Sequence, residues 1–263
     1  MTDVRLTHIG GPTVLLEFDG WRILTDPTFD RAGRTYRFGW GTSSRKLSDP
    51  AVGLVDIGAV DAVLLTHEHH ADNLDEAGRT LLPRAGAVIT TVSGARRLGP
   101  NARGLDAWDT TRLERAGSPT IDITATPCRH GPPGAHPIVG DVIGFALTWE
   151  GQDHGSLWIS GDTVLYSGVL DVAARCDVGT AVMHLGGVRF PITGPIRYTM
   201  TARDAVTLTE RVRPTTVVPV HYEGWSHFRQ GRAAIERQLV SASPEVRSAV
   251  KWATIGEPLE LSV

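Results

Sequence analysis

Disulfide chemistry is the first resource this chain does without. Cys128 and Cys176 are its only cysteines, too few for a cross-linked scaffold. It also has no unbroken apolar run of about 18 residues, the length a helix needs to cross a bilayer, so no transmembrane segment is expected. The stretch from Met1 to Leu6 lacks a basic segment followed by an apolar core, so no signal peptide is expected and the cytoplasm is the default compartment. Charge of one sign is missing too: a formal net charge of −3 leaves no footprint for nucleic acid or an anionic membrane surface. No linker, low-complexity tract or composition break divides the chain, and one domain over residues 1–263 is expected. What is present is a hydrophobic fraction of 41%, ordinary for a globular protein able to bury a sizeable core.

The apolar runs Thr13–Phe18 and Trp21–Thr25, joined by Asp19 and Gly20, read as a hairpin. Residues 30–50 are rich in Gly, Arg and Ser and read as a loop with little regular structure. Ala62–Thr66 reads as a strand, followed by a short helix over Asp75–Leu82 with acidic residues in its first turn. Ala87–Thr91 reads as a strand and Val92–Leu98 as a short helix. Thr120–Thr126 is a strand that ends in a loop stiffened by Pro127, Pro132 and Pro133. Val142–Glu150 and Ser156–Ser160 make a second hairpin, and residues 168–174 a short helix. Gly179–His184 and Thr216–Val220 are strands. Between them Ala202–Val212 has helical spacing, capped by Thr201 with Asp204 three residues on, and Ala233–Leu239 is also helical. Hairpins early and alternating strand and helix later predict an α/β domain of sheets layered with helices.

The most telling segment is His67-Glu68-His69-His70-Ala71-Asp72-Asn73, directly after the apolar run 62–65. Side chains at i and i+2 of extended backbone point the same way. His67 and His69 are therefore expected to converge on one metal ion, with His70 and Asp72 turned to the other side as a second pair. Imidazole nitrogens and carboxylate oxygens suit zinc and its first-row relatives. Other apolar runs end in the same residue types: His130 follows Ile121–Thr126, Asp162 follows Leu157–Ser160, and His221 follows Val217–Val220. Sites in layered α/β proteins assemble where strand ends gather, and four strands ending in ligand types point to one metal centre. Singly, each has a blander reading: His130 or His221 as a capping or core histidine, Asp162 as a turn residue. His8, His154 and His227 sit beside no other candidate and are read as structural.

With these motifs in order, the chain resembles the metallo-β-lactamase-fold hydrolases along its whole length. Within them it resembles the branch of ascorbate phosphate lactonase and the N-acyl phosphatidylethanolamine phospholipase D-like enzymes. The resemblance rests on Gly10–Glu17 with Ile23–Pro27, on Leu65–His69, on Thr126–His130, on Ser160–Thr163 and on Val217–Tyr222. It implies a single-domain, four-layer αββα sandwich with its site along one edge of two sheets. It also implies that His67, His69 and His130 hold a first metal. Asp162 would bridge to a second, completed by His221 and an aspartate, here Asp72. The family's His-x-His-x-Asp-His-Leu-Asp is altered in this chain: matching the Leu-Asp tails leaves one extra residue and puts Asn73 at a histidine position. An amide is a poor substitute for imidazole on zinc. Either His70 replaces it, or the second site binds weakly, or one metal serves; two metals completed by His70 or Asp72 is the favoured outcome. Gly11 also stands where that branch often has a histidine.

The resemblance implies a hydrolase in which a metal-activated water cleaves an ester, lactone or phosphodiester of a small molecule. Asp72 would orient the water or shuttle its proton, and Asp162 would hold metals and nucleophile in place. One or two Zn²⁺ per chain are implied, with Mn²⁺ as an alternative metal. A small-molecule substrate is the expected partner, and homo-oligomerisation is left open. Asp26 and Asp75 are candidates for orienting metal-bound histidines, each readable equally as a turn or helix-start residue. Arg129 could hold a phosphate or carboxylate, or make a surface salt bridge. His184 either reaches the pocket or is a satisfied core histidine. Residues 194–198 and 222–225 could wall the site. The related β-lactamases keep drug hydrolysis in view. The main rival is a metal-binding scaffold whose altered motif has cost it catalysis. The length and acidic balance disfavour a nucleic-acid-processing member of the fold. A flavodiiron-type enzyme would need a carboxylate where His69 stands.

Overall fold

Short runs of Leu, Ile and Val that bury both faces make sheets needing cover on each side, and the chain folds into two of them. The computed structural model describes residues 3–39 and 41–263. In chain order the strands are β1 (Asp3–Gly10), β2 (Thr13–Phe18), β3 (Trp21–Thr25), β4 (Thr35–Gly39), β5 (Thr42–Arg45), β6 (Ala62–Leu64), β7 (Ala87–Thr91) and β8 (Ala102–Leu105). They continue with β9 (Thr110–Leu113), β10 (Ile121–Pro127), β11 (Ile143–Trp149), β12 (Ser156–Ile159), β13 (Val178–His184), β14 (Thr216–Val220) and β15 (Pro258–Ser262). One sheet has the order β15-β1-β2-β3-β6-β7-β8 and the other β14-β13-β12-β11-β10-β9, while β4 and β5 form a separate hairpin.

Side chains alternate between faces along each strand, and this sorts the core into layers. Leu16, Ile23, Leu64 and Ile89 of the first sheet meet Ile121, Phe145, Ile159 and Val218 of the second in one apolar layer between the sheets. The neighbours of Leu64, Val63 and Leu65, face outward and pack with Ile57 and Leu81 of the short helices Leu54–Ile57 and Glu76–Leu81. On the far face of the second sheet, Trp158, Ala181 and Met183 pack against Leu208 of the helix Ala202–Val212 and Ile235 of the helix Arg232–Val240. Helices, sheet, sheet, helices is the αββα order expected from the sequence. The capping box anticipated at Thr201 is formed: its hydroxyl oxygen accepts from the Asp204 N–H at 3.2 Å, and Asp204 Oδ2 accepts from the Thr201 N–H at 2.9 Å.

Strand direction positions the site. β3 runs parallel to β6, and β12, β13 and β14 run parallel to one another. Two antiparallel steps, β10 to β11 and β11 to β12, bring β10 into the same direction as β12. The C-terminal ends of these strands gather at one edge. There the Ile143 N–H at the start of β11 donates to the Thr66 carbonyl just past β6 at 3.2 Å, stitching the two sheets together.

The structure departs from the sequence reading in several places. Residues 30–50 are not a plain loop, because β4 and β5 pair antiparallel with Tyr36 opposite Ser44. The alternation is present, but its buried side carries Thr42 and Ser44, which a hydrophobic pattern does not register. The helix over 168–174 is two single turns, Ser167–Leu170 and Val172–Arg175, that meet at Asp171. The strands β1, β8, β9 and β15 were not anticipated.

The hairpin is tied inward by Lys46, whose buried Nζ donates to the Thr28 carbonyl at 3.1 Å and to Asp75 Oδ2 at 3.0 Å. Removing one partner of a buried ion pair leaves the other charge uncompensated. Lys46→Ala should therefore destabilise the fold by about 3–5 kcal/mol, read by urea unfolding. A loss under about 1 kcal/mol would mean that solvent already screens the pair, as it does at a surface.

Candidate metal centre

The loop that leaves β6 is built around Asp26. This residue follows β3 with a left-handed φ of 34°, and its Oδ1 accepts from the Thr66 N–H at 2.7 Å and from the Thr66 hydroxyl at 3.0 Å. Burial pushes the Asp26 carboxyl well above the ordinary range, aided by the charge of Asp162 and opposed by these hydrogen bonds. Thr66 Oγ1 in turn lies 3.0 Å from His67 Nδ1. Asp26 thus orients His67 through Thr66, leaving Nε2 of His67 to face the site.

Beyond His67 the chain turns rather than extending: the Asn73 and Leu74 N–H groups both donate to the His70 carbonyl, at 3.1 and 2.9 Å. The i, i+2 alternation expected for His67 to Asp72 requires extended backbone, so it does not hold. His70 stands on the same side as His67, with 3.1 Å between His67 Nε2 and His70 Nδ1. Asp72 alone departs, towards Asp162 and His221. Asn73 turns away from the cluster and donates its amide to Thr66 Oγ1 at 3.3 Å.

The remaining groups arrive from the second sheet. His130 donates from Nδ1 to the Tyr198 carbonyl at 2.7 Å, which fixes its tautomer and leaves Nε2 as the lone-pair nitrogen. Asp162 follows Gly161, whose φ is 64° and where an added Cβ would lie 2.7 Å from the Ile143 carbonyl oxygen. Only glycine fits that turn. His184 Nδ1 bonds Asp162 Oδ1 at 3.1 Å. His221 follows β14 in a left-handed conformation, φ 58°, and its N–H donates to the Gly11 carbonyl at 2.8 Å. Its Nε2 lies 3.4 Å from both Asp162 Oδ2 and Asp72 Oδ2.

Three groups of ligand atoms result, each with its members within 4.8 Å of one another: His67, His69 and His70; His67, His130 and Asp162; and Asp72, Asp162 and His221. His67 links the first two and Asp162 the last two, so the set is continuous. Every residue expected from the sequence as a ligand lies in it. His67 and His70 are held well below the usual histidine range by burial first and by neighbouring imidazoles second, and burial lowers His130 too. Neutral imidazole is the ligand form. Burial opposes ionisation of Asp162, but His221, His184 and further imidazoles outweigh it and hold the carboxyl low. For Asp72, likewise, His227 and His221 outweigh burial. Burial opposes protonation of His221, yet Asp162 and Asp72 lift it to about 9.

These residues fit a pair of divalent cations. Asp162 Oδ2 and His221 Nε2 are buried with no hydrogen-bond partner, and a buried polar atom left so is costly. Clustered neutral imidazoles and two ionised carboxylates are what a cation satisfies, with Asp162 placed to serve both positions.

Residues outside the clusters divide cleanly. Asp75 is structural: it caps the helix Glu76–Leu81 through Gly78 N–H at 2.8 Å and pairs with Lys46. His8 bonds the Gly11 carbonyl at 2.9 Å, and His154 is exposed. Arg129 lies over the Tyr166 ring at 4.5 Å and lines a second cavity behind His130, not the main cleft. The main cleft, about 410 Å³, opens over His70, Asp72, His130 and His227. Ile196 and Tyr198 wall it as expected; Trp225 does not, because it packs on Tyr36 at 5.2 Å. His227, read from the sequence as structural, is the residue that reading missed. Its Nε2 lies 2.9 Å from Asp72 Oδ2. A second histidine six positions after His221, on a loop leaving a ligand-bearing strand, was the available signal.

Residues 21–222 match the family described as a beta-lactamase superfamily domain. A metal-dependent hydrolase of Caldivirga maquilingensis is 25% identical over 249 residues, covering 92% of each chain. One of Ignicoccus hospitalis is 25% identical over 254 residues, also covering 92% of each. Among solved structures, an isothiocyanate hydrolase from Delia radicum gut bacteria aligns with a TM-score of 0.80 at 22% identity, covering 98% of this chain and 100% of that one. Igni18, a metallo hydrolase from Ignicoccus hospitalis, aligns at 0.73 with 20% identity over 99% of both. These two share the fold.

Since Asn73 takes no part in the clusters while Asp72 does, the altered motif should still support two ions. Elemental analysis of protein purified without added metal is expected to find about two equivalents of a first-row metal per chain. A single equivalent, unchanged by added zinc, would mean that the Asp72 cluster does not hold metal.

Proposed function

Because this chain belongs to the beta-lactamase superfamily and is a metal-dependent hydrolase of it, we propose that it cleaves a small uncharged ester or lactone in preference to a phosphodiester. The observation that carries this reading is the contrast between the floor and the walls of the cleft. The floor carries His70, Asp72 and His130 of the candidate ligand set, with His227 beside them; the walls include Phe38, Val139, Val188, Phe190 and Ile196, and no Lys or Arg lines it among the described residues. Phosphate recognition draws on Arg or Lys donors. An apolar wall of this size instead suits an aryl or branched alkyl group. The isothiocyanate hydrolase that shares the fold acts, by its name, on a neutral carbon electrophile, which supports the same class.

Two divalent ions, held by His67, His69, His70 and His130 and by Asp72 and His221 with Asp162 between them, would supply Lewis acidity that polarises the electrophile and makes water acidic near neutral pH. The chain's own groups do the rest. Asp72, ionised and at the cleft floor, orients the attacking water and takes its proton. His184 holds Asp162 Oδ1 so that Oδ2 keeps its direction. The Tyr198 carbonyl holds the His130 ring from behind, and Tyr198 itself closes one wall. The apolar walls exclude competing water and press the substrate carbonyl towards the floor.

Zinc-loaded protein is expected to hydrolyse phenyl acetate at least tenfold faster than bis(4-nitrophenyl) phosphate. His67→Ala and His130→Ala should each cost on the order of 100-fold or more. Phosphodiester turnover matching the ester would overturn the substrate class. Full metal occupancy with neither compound turned over would favour the metal-binding scaffold.

A further inference from the structure

His227 is fully committed on both sides of its ring. Nε2 lies 2.9 Å from Asp72 Oδ2, and Nδ1 contacts the Ser44 hydroxyl. An ionised carboxylate only accepts, so Nε2 carries a proton and donates it to Asp72, while Nδ1 is held by the Ser44 hydroxyl. The ring is also sterically locked: it stacks on Phe190 with centroids 5.3 Å apart and planes 6° apart, and meets the edge of Phe38 at 5.5 Å. Its loop is fastened to the β4–β5 hairpin, where the Ser226 N–H donates to the Arg45 carbonyl at 3.0 Å and Lys46 bridges to Trp225. His227 belongs to none of the three ligand groups.

We infer that His227 is a positioning residue for the second metal cluster, holding Asp72 beside Asp162 and His221. The inference rests on the two-metal hydrolase reading. Asp72 stands at a turn, not on a strand, and Asn73 beside it points to Thr66. Apart from His227, the one side chain within ion-pair reach of Asp72 among the described residues is His221, at 3.4 Å. Without the His227 N–H, the carboxylate is free to rotate towards His221 alone, and the Asp72 cluster loses its spacing. Asp72 belongs to neither of the groups that contain His67, so the effect falls on the second ion. Ser44 makes the β4–β5 hairpin part of this support, since its hydroxyl holds the other ring nitrogen of His227.

The test is a competitive-chelator titration of zinc into wild type, His227→Phe, His227→Gln and Ser44→Ala, with circular dichroism to check folding. Phe keeps the ring packing and removes the donor, whereas Gln restores an N–H at similar reach but is a poor zinc ligand. In His227→Phe the first equivalent should bind as in wild type and the second about 10–100-fold more weakly. His227→Gln should recover most of that loss, and kcat should fall with the second affinity while KM moves little. Ser44→Ala, which leaves His227 in place, should weaken the second ion in the same direction by a smaller factor and carries the test if His227→Phe does not fold. Wild-type second affinity in His227→Phe overturns the inference, as does His227→Gln binding no better than His227→Phe. A wild-type chain that takes a single zinc overturns the two-metal reading and the inference together, a result distinct from either.

Discussion

Asp162 carries an ionised carboxylate into the interior and shares it between two groups of candidate ligands. Desolvating such a charge costs several kcal/mol even after relaxation, and the surrounding architecture can be read as what offsets that cost. His184 at the end of β13 and His221 at the end of β14 flank it, at 3.1 and 3.4 Å. Gly161 permits the turn that aims it, and the Ile143-to-Thr66 hydrogen bond keeps the two sheets in register where it lies. Parallel β12, β13 and β14 matter because they deliver three polar side chains to one edge with a common direction.

The same edge holds two of the strained backbone positions. Asp26 and His221 are among the few non-glycine residues with positive φ, at 34° and 58°. Such a conformation costs of order 1–3 kcal/mol and persists only where surrounding contacts determine it. For Asp26 those contacts are the Thr66 N–H and hydroxyl; for His221 it is the Gly11 carbonyl. Each strained residue therefore pins one sheet to the site: Asp26 fixes the loop bearing His67, and His221 fixes the end of β14 against the first hairpin. Strain and ligand geometry are two aspects of one arrangement.

The sequence made part of this legible and hid the rest for definite reasons. The strand ends bearing His67, His130, Asp162 and His221 could be read because apolar runs mark buried strands and their polar successors stand out. The layering of sheets with helices followed from the alternation of strands and helices, and the four-layer αββα order from the resemblance to the metallo-β-lactamase-fold hydrolases. What stayed hidden was of two kinds. β4 and β5 bury Thr42 and Ser44 and so give little apolar signal, whereas β1 and β15 carry short alternations at Val4 and Leu6 and at Leu259 and Leu261 whose pairing joins opposite ends of the chain. His227 and His184 could not be placed because their partners, Asp72 and Asp162, are 155 and 22 positions away in the chain. The orientation of His70 differs from the expected one for a simpler reason: the i, i+2 rule needs extended backbone, and the backbone turns at His70.

The β4–β5 hairpin joins the cleft wall to the support of Asp72 and of the histidine loop. It supplies Phe38 to the cleft wall, Ser44 to His227, and, through the adjoining Lys46, a buried cation to Asp75. Asp75 caps the helix that follows the histidine loop. One polar hairpin thus contacts the substrate cavity, the support of Asp72 and the end of the ligand loop. A displacement at its tip would alter wall and floor together, because Phe38 and His227 pack edge to face. On the proposed two-metal reading, substrate shape and metal geometry would in this way be mechanically coupled. An occupant that fills the apolar wall would hold Phe38, and through it the His227 ring that fixes Asp72. Binding energy from the unreactive part of a substrate could then contribute to ordering the reacting centre.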